Sequence, residues 1–273
     1  MRAADLDSYI ATGRTTVRGW LYPADAHLLA VAAEIATDRG DLVEVGAFFG
    51  ASAIELGYLR RAGDRLVVID PFEDDPDDRW APNSGLSMDG FLANWRRFHA
   101  DDPTVIVGLS GDVMPTLPAR SARLVHVDGA HHYDVVLEDV AQAIRIATPN
   151  GVLVFDDVGP WQWPSVAAAV WKAVTDGHLV PLAITTAKLY ATPSGSELAP
   201  EELVARARAR GMRTEGPHLV CGHEMWEAYA PPPTASARLR ELAAGMIPPT
   251  LRAGARKLSR ARAHRAGHTA VHT

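Results

Sequence analysis

Short apolar, β-branched runs recur through the first half of the chain, at Leu42 to Val45, Leu66 to Ile69, Val105 to Val107, Leu124 to Val127 and Val152 to Phe155. Helical stretches separate several of them. Runs that are apolar throughout, rather than alternating with polar residues, are the pattern of parallel strands covered on both faces. The expected fold class is α/β, a doubly wound Rossmann-like sheet with helices on both faces, over residues 41–198. Ahead of it, YPADAHLLAVAAEIA places Leu28, Leu29, Ala32, Ala33 and Ile35 at helical spacing, so residues 1–40 read as an N-terminal helical cover.

Between the second and third runs, FEDDPDDRWAPNSGLS is an acidic, Pro-rich loop leading into a helix with the stripe Met88, Phe91, Trp95 and Phe98. The insertion, residues 72–100, reads either as core packing or as a lid over a substrate. After Ser165, VAAAVWKAV is helical, with strand candidates at Leu179 to Thr185 and Lys188 to Ala191. Helix formers fill 199–214, within a C-terminal extension expected over 199–245. Residues 246–273 carry Arg252, Arg256, Lys257, Arg260, Arg262 and Arg265 without an acidic residue. This basic tail is expected to be poorly ordered, with contact to an anionic surface as the alternative.

A net charge of -6 argues against a general affinity for nucleic acid and leaves small-molecule chemistry. Cys221 is the one cysteine, which rules out an intramolecular disulfide and fits a reducing compartment. Neither a leader pattern nor a run of membrane-spanning length occurs, so a cytoplasmic location without stable membrane insertion is expected.

The chemistry begins at LVEVGAFFGAS, a strand joined to a helix through a turn containing Gly46 and Gly50. In doubly wound sheets ligands bind beyond the carboxyl ends of the strands, where such a turn offers backbone N–H groups. Ala47, Phe48 and Phe49 fill the interior of the turn, so the dinucleotide pattern G-x-G-x-x-G is missing and a nicotinamide oxidoreductase is disfavoured. Asp70 ends the next strand, 24 residues after Gly46, where a carboxylate can accept from ribose hydroxyls; it also suits a turn before Pro71. Glu44, inside an apolar strand, needs a cationic or hydrogen-bonding neighbour, such as an amino-acid ammonium.

The EVGAFFG turn followed by VVIDPF resembles motifs I and II of class I S-adenosylmethionine methyltransferases. That resemblance implies that Glu44, Gly46, Ala47, Phe48, Gly50 and Ser52 face the methionine part, that Asp70 binds the ribose, and that Ser110, Gly111 and Asp112 flank the adenine.

Two further strands end in carboxylates, Asp128 in LVHVDGAHHYD and the pair Asp156 and Asp157 in GVLVFDDVG. In the usual strand order these strands are neighbours, and three converging carboxylates repel one another unless protonated or bound to a hard cation, of which Mg2+ suits oxygen donors. Such a cation could orient a hydroxyl and lower its pKa while a base removes the proton. His131 is the candidate base, with His132 as competitor. DGAHHYDVVLEDV followed by PNGVLVFDDV resembles the macrocin and mycinamicin sugar O-methyltransferases and the cephalosporin-hydroxylase-like proteins. The resemblance covers roughly residues 40 to 170, and implies Asp128, Asp156 and Asp157 as metal ligands and His131 as base. Position 132 is His rather than the Ser of that pattern, which leaves the base open.

Trp161 and Trp163, beyond a strand end, can stack on a sugar ring or pack the following helix, and Tyr133 and Trp80 could join such a pocket. The expected function is therefore Mg2+-dependent methyl transfer from S-adenosylmethionine to a hydroxyl of a sugar or glycoside, such as an antibiotic glycoside or a methylated mannoside precursor. The alternatives are a catechol-type phenol as acceptor and a noncatalytic nucleotide-binding protein. A homodimer is expected by analogy.

Overall fold

A computed structural model describes residues 5–73 and 84–232 of the chain. Trp80, most of the acidic loop and the whole basic tail lie outside the described residues. All described elements belong to one compact unit, Met1–Pro231.

The core of the sheet is parallel. β1 (Asp41–Val45), β2 (Leu66–Asp70), β3 (Thr104–Val107), β4 (Ala122–Val127) and β5 (Ala147–Phe155) stand in the order β3-β2-β1-β4-β5. β7 (Leu189–Pro193) then adds antiparallel to β5, and β6 (Leu179–Ile184), β9 (His223–Tyr229) and β8 (Arg213–Val220) complete nine strands. The order reverses at β1, so the carboxyl ends of β1 and β4 flank the position where doubly wound sheets bind ligands.

Residue parity along each strand decides which layer a side chain joins. Leu42, Leu66, Val68, Leu124, Val152, Val154 and Tyr190 face one layer, formed by α1 (Leu6–Ala11), α2 (Pro23–Ile35), α3 (Ala51–Tyr58) and α4 (Met88–Trp95). Val43, Val45, Val125, Val127, Leu153 and Phe155 face the other, formed by α5 (Ser110–Val113), α6 (Tyr133–Ile146) and α7 (Pro164–Thr175). Burying each β-branched side chain contributes roughly 1.5–3 kcal/mol, so the alternation fixes the register firmly.

α2 begins with Pro23 at its first turn and is buried nearly all round, because α8 (Pro200–Ala209) packs against it as well as α3 and the sheet. On α4, Phe91 and Trp95 are fully buried among core residues, so this helix packs against the core. Within the expected C-terminal extension, β8 and β9 extend the sheet through the β6–β9 pairing. β8 sits at the sheet edge and is largely exposed, and an edge strand with both faces wet has no apolar run to betray it. Among the described residues no helix is long and apolar enough to cross a membrane.

Candidate active site

The turn after β1 depends on glycine. Gly46 has φ +81, and a Cβ there would stand 1.9 Å from the carbonyl oxygen of Asp128. The β1 turn and the end of β4 can approach this closely only without a side chain. Gly50, at φ +95, supplies the left-handed residue from which α3 starts. Asp70 ties the turn to the end of β2: its Oδ2 accepts from the backbone N–H of Ala47 at 2.7 Å and of Phe48 at 3.0 Å, and its Oδ1 from Phe72 at 2.6 Å. Burial raises the Asp70 carboxyl above its usual value and these three N–H groups oppose that shift. Asp70 is thus a built part of the turn: both lone pairs of Oδ2 are used, and Oδ1 keeps a second lone pair for a ligand hydroxyl.

Glu44 has hydrogen-bonding neighbours within the fold. Its Oε1 accepts from Ser52 Oγ and, at 3.1 Å, from His126 Nδ1, while Oε2 is buried without a hydrogen-bond partner. Strand register explains the pairing, since Glu44 and His126 are direct neighbours on β1 and β4 and share a face. The same face carries Asp156, two residues beyond Val154, and Lys188, two residues before Tyr190; Val154 and Tyr190 pair across β5 and β7. Lys188 Nζ donates to Asp156 Oδ2 and, at 3.0 Å, to His126 Nε2. A buried polar chain therefore runs Ser52–Glu44–His126–Lys188–Asp156.

Asp128 completes the group, with donor atoms of His126, Asp128 and Asp156 all within 4.8 Å of one another. Burial and then the negative Asp156 raise the Asp128 carboxyl well above its ordinary range. Burial pushes Asp156 up too, but the Lys188 ammonium and His126 outweigh it and hold Asp156 low. Burial alone would lower Lys188; Asp156, Asp128 and Asp25 more than reverse that and raise it.

Asp157 makes a different contact: its φ is +59 and its Oδ2 lies 2.9 Å from His131 Nε2. Asp156 and Asp157, consecutive residues leaving the strand, thus engage Lys188 and His131 respectively, and both line a cleft with Asp128. His131 stacks on Trp163, with centroids 3.9 Å apart and planes 13° apart, and its backbone oxygen accepts from Ser165 Oγ at 2.7 Å. One face of Trp163 is thereby occupied by the histidine, so this tryptophan positions His131. His132 is exposed and its side chain makes no capping bond at the start of α6. Tyr133 is 39% exposed and Trp161 85% exposed. Ser110, Gly111 and Asp112 form the short helical turn α5 after β3, on the far side of β2 from β1.

An open cleft lies over the turn, lined by Ala47, Phe48, Ala51, Ser52, Asp128, Asp156 and Lys188 and by Arg18 to Leu21. Trp20 stacks on Phe48 at 5.5 Å and is 53% exposed, and Arg18 stands over the same ring at 5.3 Å. A second cleft, lined by His131 and Asp157, shares Asp128 and Asp156 with the first. Four residues here, Arg18, Trp20, His126 and Lys188, escaped the sequence reading. For His126 a signal existed, because it is a lone polar residue in an apolar strand, the same signal that marks Glu44, whereas Lys188 stands just before the run of β7.

A methionine-nucleoside cofactor fits the turn: the glycines allow close approach, α3 opens with its N-terminus toward the cleft, and the Asp70 carboxylate stands at the adjacent strand end. A divalent metal does not fit the cluster as it stands, because the Lys188 ammonium is bonded to two of its three donors.

In solved structures, the chain is similar to the O-methyltransferase NovP at 19% identity and a TM-score of 0.56, covering 69% of this chain and 98% of that one. It is also similar to a Corynebacterium glutamicum protein at 16% identity and a TM-score of 0.50, covering 69% and 90%. Among curated protein sequences none matches. These likenesses place the fold with the Rossmann-like methyltransferases. Residues 43–158, from β1 through the turn after β5, match the family described as a methyltransferase domain, and that stretch holds the glycine turn, Asp70, Asp128, His131 and the Asp156–Asp157 pair.

Proposed function

We propose that this protein transfers a methyl group from S-adenosylmethionine to a hydroxyl of a small-molecule acceptor, with a sugar or glycoside as the preferred class. One observation carries the reading: the glycine turn and the Asp128–Asp156 pair face a single cleft. The methyltransferase match over 43–158 and the NovP likeness agree with it.

S-adenosylmethionine, when bound, supplies an electrophilic methyl on a sulfonium. The chain's own residues do the rest. Gly46 to Ser52 cradle the methionine part, Asp70 takes the ribose hydroxyls, and Ser110 to Asp112 border the adenine. The exposed faces of Trp20, Trp161 and Tyr133 suit the apolar faces of a saccharide ring. His131 removes the hydroxyl proton: its Nε2–H donates to Asp157, which fixes the tautomer and leaves Nδ1 as the accepting atom. The O–CH3 bond forms as the S–CH3 bond breaks, the bonding pair stays on sulfur, and the proton passes to His131.

A screen with isotopically labelled S-adenosylmethionine tests this against mono- and oligosaccharides, glycosides and catechols. Labelled methyl ethers of a carbohydrate are expected. Methylation of phenols alone would move the acceptor class to catechols. A thermal unfolding midpoint that does not respond to S-adenosylmethionine would favour a noncatalytic role.

A further inference from the structure

We propose that Lys188 takes the place that a divalent metal would hold, so that its ammonium is the resident cation of the Asp128–Asp156 pair and methyl transfer here needs no metal. The proposal rests on reading this pair as the transfer site.

Three observations carry it. The first is occupancy of the donors. A metal held by His126, Asp128 and Asp156 would need the lone pair of His126 Nε2, because Nδ1 is turned to Glu44. That lone pair accepts from Lys188 at 3.0 Å, and an oxygen of Asp156 is bonded to the same ammonium. A divalent ion placed among these atoms would sit against a fixed positive charge in a poorly screened interior.

The second is that the backbone of Lys188 is tied down. It stands just ahead of β7, in the hairpin after β6, and its backbone N–H donates to Thr185 Oγ1 at 2.9 Å while its carbonyl accepts from the Thr185 N–H at 2.9 Å. Thr185 in turn donates to Asp25 of α2. The side chain is buried, with its ammonium held against Asp156 and His126. The third is the engagement of the other carboxylate: Asp157 Oδ2 meets His131, and Asp157 is outside the group formed by His126, Asp128 and Asp156.

Lys188 also lines the cleft, and of its three N–H groups two are used, leaving one without a partner among the described residues. That N–H is available to the acceptor oxygen. It would orient the hydroxyl toward the methyl and stabilise the negative charge that develops as His131 takes the proton, which is the service a metal would otherwise give.

Metal binding can be measured without knowing the acceptor. The chelator-treated full chain is titrated with Mn2+, with free Mn2+ read by electron paramagnetic resonance, for wild type and Lys188→Met. The wild type is expected to show no stoichiometric site. Lys188→Met keeps the side-chain length without the charge and is expected to gain about one Mn2+ per chain as His126 and Asp156 are released. One Mn2+ per wild-type chain, lost in Asp156→Asn, would overturn the proposal, as would a folded Lys188→Met that gains none. Should Lys188→Met fail to fold, the wild-type titration decides alone. With any acceptor that the screen identifies, turnover is expected to survive excess EDTA; activity abolished by EDTA and restored by Mg2+ would sink the idea. Failure to find an acceptor tests the functional reading, and the Mn2+ titration stands apart from it.

Discussion

At Gly46 a single missing side chain lets two strand ends meet. A methyl group there would overlap the Asp128 carbonyl and would also have to adopt φ +81, so Gly46→Ala is expected to cost more than about 2 kcal/mol. Chemical denaturation would show it as a lowered midpoint with unchanged slope. His131 and Asp157 form the other residue-scale device. Replacing His131 with Gln is expected to lower kcat roughly 100-fold or more while leaving S-adenosylmethionine affinity in calorimetry unchanged, whereas His132→Gln leaves both near wild type. A His131→Gln enzyme within threefold of wild type would take the base role from this residue. That His131 rather than His132 holds the position could not be read from the HHY string. The choice comes from Asp157 and Trp163, which reach the ring from the loop after β5.

Elements decide what surrounds the turn. The segment between the Gly13–Thr16 helical turn and α2 lies over the cleft with Arg18 and Trp20, although these residues precede the first strand and carry no motif. Trp20 rests on Phe48 and leaves half its surface open, so Trp20→Ala is expected to raise the acceptor KM about tenfold, or ~1.4 kcal/mol, with little change in kcat. Initial-rate kinetics on the first acceptor identified would check this; an unchanged KM would remove Trp20 from acceptor recognition. The β6–β7 hairpin matters in a different way. It folds back antiparallel onto β5 and brings Lys188 beside Asp156, across 32 positions of sequence. The apolar runs of both strands were legible, but antiparallel pairing with β5 was not, because residue pattern gives a strand's burial and not its neighbour.

Over the whole molecule, several buried carboxyls couple stability to pH. Asp139 on α6 is raised to about 6 by burial, against the opposing pull of the nearby Ser110 hydroxyl, and Asp25 reaches about 6 through burial against the pull of Lys188. A carboxyl whose folded pKa lies above its ordinary 3.8 contributes stability below that ordinary value, and the contribution is lost as pH rises through the folded value. Between about pH 4 and 6, therefore, the wild type is expected to lose stability relative to Asp139→Asn. Above pH 7 the variant is expected to be the more stable by on the order of 2 kcal/mol, and parallel unfolding curves across that range would refute the assignment. The sequence by itself determined the parallel core, the glycine turn and the strand-end positions of Asp70, Asp128 and Asp156, because burial on both faces and backbone freedom leave a local signature. Only the tertiary structure decided which partner each charge meets. Glu44 met His126, Asp157 met His131 and Asp156 met Lys188, because a polar contact is set by distance in space, and strand pairing joins residues that no spacing along the chain connects.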